Sequence, residues 1–279
     1  MCVERFGFRS VRVTGGEPLV RAHVTRLVEM LAALDVDLAL TTNGVKLPEL
    51  AHDLRAAGLR RVNVSLDSLR RETFLALTRR DELDRVVAGI DAAIDAGLTP
   101  VKVNAVVMRG VNDDEIVDLA AFARDKGVGL RFIEFMPLDA EGTWSRDKVV
   151  PAAEILERLD AVFPIEPIAD GAGAEPAERY RYRDGRGDVG VIASVTAPFC
   201  GKCDRVRLTA EGQFRTCLFA LEEFDLRKEL RVGAGLAEPD LDDRLAAAIA
   251  GAVGTKWAGH RIGDEDFVRP ARSMSQIGG

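Results

Sequence analysis

The sequence lacks two features that would each point to a class of protein. No apolar run is long enough to span a bilayer, which excludes a predicted membrane-spanning helix. Basic residues are not in excess, because 38 lysines and arginines face 45 aspartates and glutamates and give a formal net charge of −7. A general surface for nucleic acid or for an anionic membrane is therefore excluded, and any anion site must be a local basic pocket.

Histidine is also scarce. The three histidines, His23, His52 and His260, are scattered, and none lies at metal-ligand spacing from another. We interpret them as structural or exposed residues. With 279 residues, 47% of them hydrophobic and 30% charged, the chain has the composition of a soluble globular protein with one large or two modest domains.

Cysteine is scarce too, but three of the four cysteines lie close together. Cys200, Cys203 and Cys217 form a C-x2-C-x13-C pattern, and a C-x2-C turn directs two thiolates at one metal or cluster. Three thiolates leave one iron of a 4Fe–4S cluster open to another ligand. The alternative is a structural zinc ion with Cys2 or a histidine as fourth ligand. A disulfide is less favoured, because the third cysteine would stay unpaired.

Two arginines follow the cysteine turn at alternate positions. If residues 205–207 are extended, Arg205 and Arg207 face the same side of the strand. Paired guanidiniums beside a metal centre suit an anionic ligand such as a phosphate. The sequence therefore predicts an anion site next to the three cysteines.

Up to about residue 160 the sequence alternates strand-like and helix-like patterns. Apolar positions at helical spacing lead to Gly58, Gly97 and Gly127, and glycine just past the last turn is a common helix end. Strands are predicted at residues 10–14, 37–42, 61–66, 101–108 and 129–135. Repeated βα units with short links predict an α/β fold, with a parallel sheet that is either open or curled into a barrel.

The rest of the chain has a different character. Residues 161–199 are rich in proline, glycine and alanine, with short alternating runs at residues 179–183 and 189–195. Helices are predicted at residues 221–230 and 241–252. We therefore predict two parts, an α/β domain over residues 1–160 and a smaller cysteine-bearing region over residues 161–279.

Polar residues gather at the predicted ends of the strands, where ligands bind in parallel sheets. A GGEP turn containing Gly16 follows the first strand, Thr41 ends the second, and Ser65 ends the third, although each also fits plain turn or cap chemistry. Lys102 lies within an apolar strand. Facing inward it could bind phosphate or form a Schiff base, and facing outward it would be an ordinary surface lysine.

Seven stretches of the sequence together resemble one enzyme family. They run in family order: VRVTGGEPLVR, LTTNG, RVNVSLDSL, VKVNAVVMRGVND, LRFIEFMPL, CGKCDRVRLTAEGQFRTCLF and IGG. The chain is similar to the GTP 3′,8-cyclases (molybdenum cofactor biosynthesis protein A), which are radical S-adenosylmethionine enzymes. The resemblance implies an incomplete parallel (βα) barrel that binds S-adenosylmethionine and a first cluster. It also implies a C-terminal region that binds GTP and a second 4Fe–4S cluster.

The resemblance implies the reaction as well. A deoxyadenosyl radical abstracts hydrogen from the ribose of GTP, and the ribose carbon attacks the guanine ring to give (8S)-3′,8-cyclo-7,8-dihydroguanosine 5′-triphosphate. Cyclic pyranopterin monophosphate synthase would be the pathway partner. The family works in the cytoplasm, with neither nucleic acid nor a membrane as partner.

The family motifs give roles to individual residues of this chain. The implied ligands of the second cluster are Cys200, Cys203 and Cys217. The implied GTP contacts are Arg12, Thr41, Lys102, Arg205, Val206 and Arg207. The implied S-adenosylmethionine contacts are Gly16, Ser65 and Met136. Gly278 and Gly279 resemble a double-glycine tail that reaches into the family's active site.

The sequence departs from the family in its N-terminal part. The family holds its first cluster with an N-terminal C-x3-C-x2-C motif, which these 279 residues do not contain, and Cys2 stands alone. The first βα unit is missing too, so that five strands replace six. We therefore expect a truncated or wrongly started copy that does not complete the reaction. The unpaired edge at residues 10–14 would favour self-association as a homodimer.

Two other functions fit part of the sequence. A Schiff-base aldolase with Lys102 as nucleophile would explain a barrel and a strand lysine, but not the three cysteines. A non-catalytic remnant that binds only GTP or a metal would keep the C-terminal site alone.

Overall fold

The computed structural model of the protein describes residues 1–139, 142–168, 175–232, 235, 237–256 and 259–277. Five strands in the first half of the chain form the parallel part of a sheet, each paired with the next along the chain. They are β1 (Ser10–Val13), β2 (Asp37–Thr42), β3 (Arg61–Ser65), β4 (Val101–Val107) and β5 (Gly129–Glu134). The five predicted strands are confirmed to within one residue at each end.

Three later strands extend this sheet: β6 (Ile165–Pro167), β7 (Glu178–Tyr182) and β8 (Asp188–Ile192). Strand β8 pairs in parallel with β5, and β7 and β6 continue the sheet in antiparallel pairing. The order is β1-β2-β3-β4-β5-β8-β7-β6. Among the described strands the sheet is open rather than closed into a barrel, with β1 at one edge. The division of the chain near residue 160 stays a prediction, although the sheet continues across it.

Helices cover one face of the sheet. Helix α1 (Cys2–Phe6) precedes β1 and packs on the C-terminal part of the chain instead. The helices on the sheet are α2 (Val24–Ala32), α3 (Leu47–Ala56), α4 (Arg71–Thr78), α5 (Leu83–Asp95), α6 (Ile116–Lys126) and α7 (Ala152–Asp160). They bury apolar side chains such as Leu54, Ile90 and Leu119 against the strands. Because successive strand residues point to opposite faces, each strand also presents side chains to the face away from this core.

The C-terminal part adds a small antiparallel sheet and three helices. The strands are β9 (Arg207–Leu208), β10 (Gln213–Arg215) and β11 (Phe224–Asp225), and the helices are α8 (Leu226–Val232), α9 (Glu238–Gly254) and α10 (Met274–Ile277). The helix predicted at residues 221–230 was wrong at its start, because Phe224 pairs with Phe214 of β10 and holds the chain extended. The helix predicted at residues 241–252 lies within α9. No helix in the described part of the chain is long and apolar enough to cross a membrane.

One buried carboxylate joins three elements of the main domain. Glu134, the last residue of β5, has no exposed surface. Its carboxylate accepts hydrogen bonds from the backbone N–H groups of Ala152 at 2.8 Å, Val195 at 2.7 Å and Thr196 at 2.8 Å. It thereby fixes the start of α7 and the segment after β8 to the end of the central strand.

We predict that Glu134→Gln lowers the free energy of unfolding by about 3 kcal/mol. The amide keeps one acceptor oxygen but turns an NH₂ group toward buried donors, leaving them unsatisfied. Urea denaturation measures the change. The control is Glu157→Gln on exposed α7 surface, for which we expect a change within about 0.5 kcal/mol. Equal urea midpoints for the two variants would contradict the role of Glu134.

Candidate functional site

The three predicted cluster cysteines lie in one part of the structure. A short turn (Cys200–Lys202) brings the Cys203 N–H to the Cys200 carbonyl at 3.1 Å, and Cys217 follows β10 closely. Burial raises the pKa of the Cys200 thiol, and the charges of Cys217 and Cys203 raise it further. A hydrogen bond from the backbone N–H of His260 acts in the opposite direction and lowers this pKa. The three thiols therefore share one region of the structure.

The arrangement of these thiols can be compared with the needs of a cluster and of a zinc ion. All three are free and half-buried. Among the residues that the structure describes, no three Cys, His, Asp or Glu side chains converge closely enough to hold a single metal ion. A four-iron cluster spreads three thiolates over three different irons, so its ligands stand farther apart than those of one zinc ion. Three thiols are the donor type that a 4Fe–4S cluster requires, so the chemistry of the residues present fits this group.

Cys2, which with a histidine was one of the two options for the fourth ligand of a zinc ion, lies in helix α1. It belongs to α1 and packs against the apolar cluster that contains Phe214 and Ile249. Burial raises the pKa of the Cys2 thiol, which the N-terminal amine partly offsets, and Asp242 raises the pKa further. Cys2 therefore behaves as a packing residue of the C-terminal part.

The arginines after the cysteine turn face the same site. The Nε atom of Arg205 is buried without a partner among the described residues, and its guanidinium carbon lies 5.0 Å from the centre of the Phe199 ring. Burial and the nearby Arg205 lower the pKa of Arg207 to about 10, although Cys217 and Cys203 oppose the shift. Two crowded guanidiniums, one with an unused donor, are suited to an anionic ligand.

Val206 lies between the two arginines and faces the other way. Its side chain packs against the apolar cluster that contains Phe214, as alternation along an extended segment requires. Only the backbone of Val206 is therefore left for a ligand on the arginine side. Lys256, just beyond α9, holds this segment by donating from Nζ to the Arg205 carbonyl at 2.8 Å.

The inner face of the main sheet, which we define as the face away from the helices, adds further cations. Strand register places Arg12 beside Ala39 and Ala39 beside Arg61, so that both arginines lie on one face. Arg12 reaches solvent, yet the protein around it desolvates the guanidinium and lowers its pKa, and the charges of Arg61 and Arg205 lower it further. The sheet and the cysteine region thus contribute to one basic cluster.

Lys102 also lies on the inner face. Its neighbours in β4, Val101 and Val103, are buried beneath the helices, so Lys102 points the other way. Its side chain is 21% exposed, and Nζ lies 3.6 Å from Oε1 of Glu175. Burial and then the charge of Arg131 lower the pKa of Lys102. The inward orientation is therefore confirmed, and the lysine belongs to the same basic cluster.

Sequence reasoning gave no role to Arg131, which the structure places beside Lys102. Arg131 is 4% exposed and donates to Asp188 at 3.1 Å. Its side chain crosses Gly190 so closely that a Cβ at this glycine would lie 2.7 Å from the arginine Cδ. The available signal was an arginine inside the apolar run LRFIE, of the same kind as the lysine in VKVNA.

The remaining predicted residues lie at the carboxyl ends of the strands. Gly16 follows β1, Thr41 and Ser65 lie at the ends of β2 and β3, and Met136 follows β5. The Thr41 hydroxyl is buried and accepts a hydrogen bond from the Asn63 amide at 3.3 Å. These residues therefore share one rim of the sheet, as their positions in the sequence predicted.

The GGEP turn is braced by its own glutamate. Glu17 accepts hydrogen bonds from the Leu19 N–H at 2.9 Å, the Thr42 hydroxyl at 2.7 Å and the Asn43 N–H at 2.7 Å. The turn after β1 is therefore tied to the end of β2, which holds the backbone of Gly16 on the rim.

The C-terminal segment reaches the same rim. A Cβ added to Gly16 would lie 3.7 Å from the Ser275 carbonyl oxygen, and the Met274 N–H donates to the Leu138 carbonyl at 2.9 Å. The predicted tail residues Gly278 and Gly279 lie outside the described residues.

Comparison with known protein families divides the chain in two. Residues 2–123 match the Radical SAM superfamily, and residues 128–262 match the family described as Molybdenum Cofactor Synthesis C. The boundary between the two matches falls between β4 and β5, so that β1 to β4 lie in the first match and β5 to β8, with the cysteine region, lie in the second.

Curated relatives match the whole chain. The sequence is 51% identical over 284 residues to the GTP 3′,8-cyclase of Streptomyces coelicolor, covering 100% of this chain and 81% of that protein. It is 48% identical over 290 residues to the GTP 3′,8-cyclase of Corynebacterium glutamicum, covering 100% of this chain and 75% of that protein.

Among solved structures, Streptococcus suis SuiB bound to S-adenosylmethionine has a similar fold. Its TM-score is 0.58 at 13% identity, covering 82% of this chain and 55% of that chain. This likeness supports the radical S-adenosylmethionine fold alone, whereas identities near one half over the whole chain are decisive for the family. The chain belongs to the GTP 3′,8-cyclases, the radical S-adenosylmethionine lyases of molybdenum cofactor biosynthesis.

Proposed function

We propose that this chain binds GTP between the inner face of the sheet and the cysteine region, at the site where the family forms (8S)-3′,8-cyclo-7,8-dihydroguanosine 5′-triphosphate. Without a first-cluster motif in these 279 residues, the chain itself would not complete that reaction. The observation that carries the proposal is the basic cluster itself. Burial comes first in lowering the pKa of Arg12, Arg207 and Lys102, and neighbouring cations lower each further. Those cations are Arg61 and Arg205 for Arg12, Arg205 and Arg12 for Arg207, and Arg131 and Arg61 for Lys102, so that Arg61 links the lysine to the arginines. A triphosphate would supply the negative charge that this cluster lacks.

The proposed cluster ligands are Cys200, Cys203 and Cys217. When bound, the cluster would supply one iron that no cysteine occupies, open to the nucleotide. Burial raises the pKa of the Cys203 thiol, but a backbone N–H and the charge of Arg205, together with Lys256, outweigh burial and lower it. This environment favours the thiolate that iron requires.

The other predicted contacts complete the proposed site. Gly16, Ser65 and Met136 would hold S-adenosylmethionine at the rim, and Thr41 would contact GTP beside Lys102. Gly278 and Gly279 would reach into the active site, as the double-glycine tail does in the family. Arg61 and Arg131 extend the basic face, and their carboxylate partners Asp37 and Asp188 hold their guanidiniums in place.

Several broader expectations remain proposals. We propose that residues 1–160 and 161–279 act as a sheet domain and a cluster region. The family's cyclised product would pass to cyclic pyranopterin monophosphate synthase in the cytoplasm. The open edge of β1 would favour a homodimer.

The aldolase alternative loses its support, because the family assignment and the basic neighbours of Lys102 both favour phosphate binding.

The proposed cluster can be tested by its metal content. Anaerobic reconstitution with iron and sulfide should give about four irons and four sulfides per chain. Cys217→Ser should lose most of this iron, whereas Cys2→Ser should keep it, since Cys2 packs in the apolar cluster of Phe214 and Ile249 and is not a proposed ligand. Metal analysis and the visible spectrum measure both. About one zinc per chain without sulfide, or equal loss in the two variants, would contradict the assignment.

A further prediction concerns GTP. Arg207→Ala should weaken GTP binding about tenfold or more, because it removes a charge-assisted contact from a partly dry site. The control Arg26→Ala removes the same charge from an exposed surface pair on α2 and should leave the affinity unchanged. Isothermal titration with GTP and with guanosine measures both. If Arg207→Ala weakens both ligands equally, the residue does not bind the triphosphate.

Another prediction concerns S-adenosylmethionine. The 279 residues contain four cysteines and no C-x3-C-x2-C run, so this chain should not cleave S-adenosylmethionine reductively. With dithionite, we expect no 5′-deoxyadenosine above a protein-free blank, measured by liquid chromatography. The Streptomyces coelicolor relative, treated identically, serves as the positive control. Turnover by this chain would show that another electron donor replaces the first cluster.

A further inference from the structure

The C-terminal segment at residues 272–277, which we name the C-terminal strap, rests on the loop that follows Cys217. Ile277 is 3% exposed and packs in one apolar cluster with Leu138 and Phe219. Met274 and Cys217 pack against the same cluster. The strap therefore covers the surroundings of the third cysteine.

The loop after Cys217 is organised by a buried guanidinium. Arg215, two residues before Cys217, is 2% exposed. Its Nη2 donates to the carbonyl oxygens of Ala220 at 2.5 Å and Leu218 at 3.4 Å, and Nη1 pairs with Glu223. The carbonyls on either side of Phe219 are thus held by one side chain, so Arg215 sets the course of the loop that carries Cys217.

Glu223 joins this loop to the strap. Its Oε1 pairs with Arg215 and also lies 2.6 Å from Nε of Arg272, while its Oε2 accepts from Nη2 of Arg272 at 2.9 Å. Both oxygens therefore face Arg272 in bidentate geometry, which fixes orientation as well as distance. Glu211 also faces Arg272, but at 3.5 Å and with a side chain that is 55% exposed.

We propose that Glu223 is a positioning residue that couples docking of the strap to the order of the Cys217 loop. The carboxylate is shared between a guanidinium inside the loop and a guanidinium on the strap, so neither pairing is independent of the other. The coupling to a bound cluster rests on the cluster site proposed above. The coupling between loop and strap stands on the ion pairs alone.

A reciprocal dependence follows from this geometry. A ligand that orders the Cys217 loop also favours the docked strap, and the docked strap favours the ligand by the same factor. Glu223 would act through the strap, without touching substrate itself.

The test uses the cluster-free chain first. Glu223→Gln should speed hydrogen exchange of the backbone amides in residues 272–277 about tenfold, because a charge-assisted pair is lost. Alkylation of Cys217 by iodoacetamide should speed up in parallel, with Cys2 as the internal reference. The matched control Glu211→Gln changes an acid that touches the same arginine and should alter exchange by less than about twofold.

Two further variants separate positioning from loss of fold. Arg272→Gln removes only the guanidinium on the strap, keeps both Arg215 and Glu223, and should release the strap as much as Glu223→Gln does. Glu223→Asp keeps the charge and should restore part of the protection. Exchange that rises throughout the chain, or that is equal in Glu223→Gln and Glu211→Gln, would overturn the proposal.

The cluster-loaded chain tests the second half of the coupling. In the wild-type chain, reconstitution should slow exchange of residues 272–277, and in Glu223→Gln this slowing should be lost. A wild-type chain that takes up no iron would overturn the proposed function but leave the cluster-free comparison valid. If reconstitution slows exchange equally in the wild-type chain and in Glu223→Gln, the coupling between strap and cluster is overturned, whereas the coupling between strap and loop still stands.

Discussion

Parallel strand pairing is the constraint on which the site depends. In a parallel sheet, residues in register share a face, and here that rule places Arg12, Arg61 and Lys102 on the face away from the helices. Like charges gathered on a partly dry surface repel one another, and carboxylates offset only part of the repulsion: Asp37 pairs with Arg61 and Glu175 with Lys102. The charge that remains is the physical basis of the proposed triphosphate site.

The cysteine region, which would complete the proposed site, is braced by contacts from several elements. Lys256 fixes the extended segment of Arg205 and Arg207, and Glu134 ties the segment after β8 to the end of β5. Helix α1 packs on the same region, with an ion pair between Arg5 and Asp243. The arginines therefore approach the inner face on a braced support, so that little ordering remains when an anion binds.

Much of the main sheet was predictable, because its signals are local. Alternation of apolar residues marked each strand, and glycines such as Gly97 and Gly127 marked the helix ends in the αL conformation that glycine favours. The helix predicted at residues 221–230 failed where a distant partner intervened, since Phe224 is held extended by pairing with Phe214. Arg131 was missed because its meaning depends on Gly190 and Asp188, which lie in another strand.

The sequence by itself determined the cysteine spacing, the alternation of Arg205 and Arg207, and the order of the family motifs, since each depends only on neighbouring positions along the chain. Only the tertiary structure decided which face Lys102 takes and which carboxylates balance which arginines. Glu223 is the sharpest case, because its partners Arg215 and Arg272 lie 8 and 49 residues away. An ion pair leaves no periodic trace in the sequence, and its existence depends on how the chain folds back on itself.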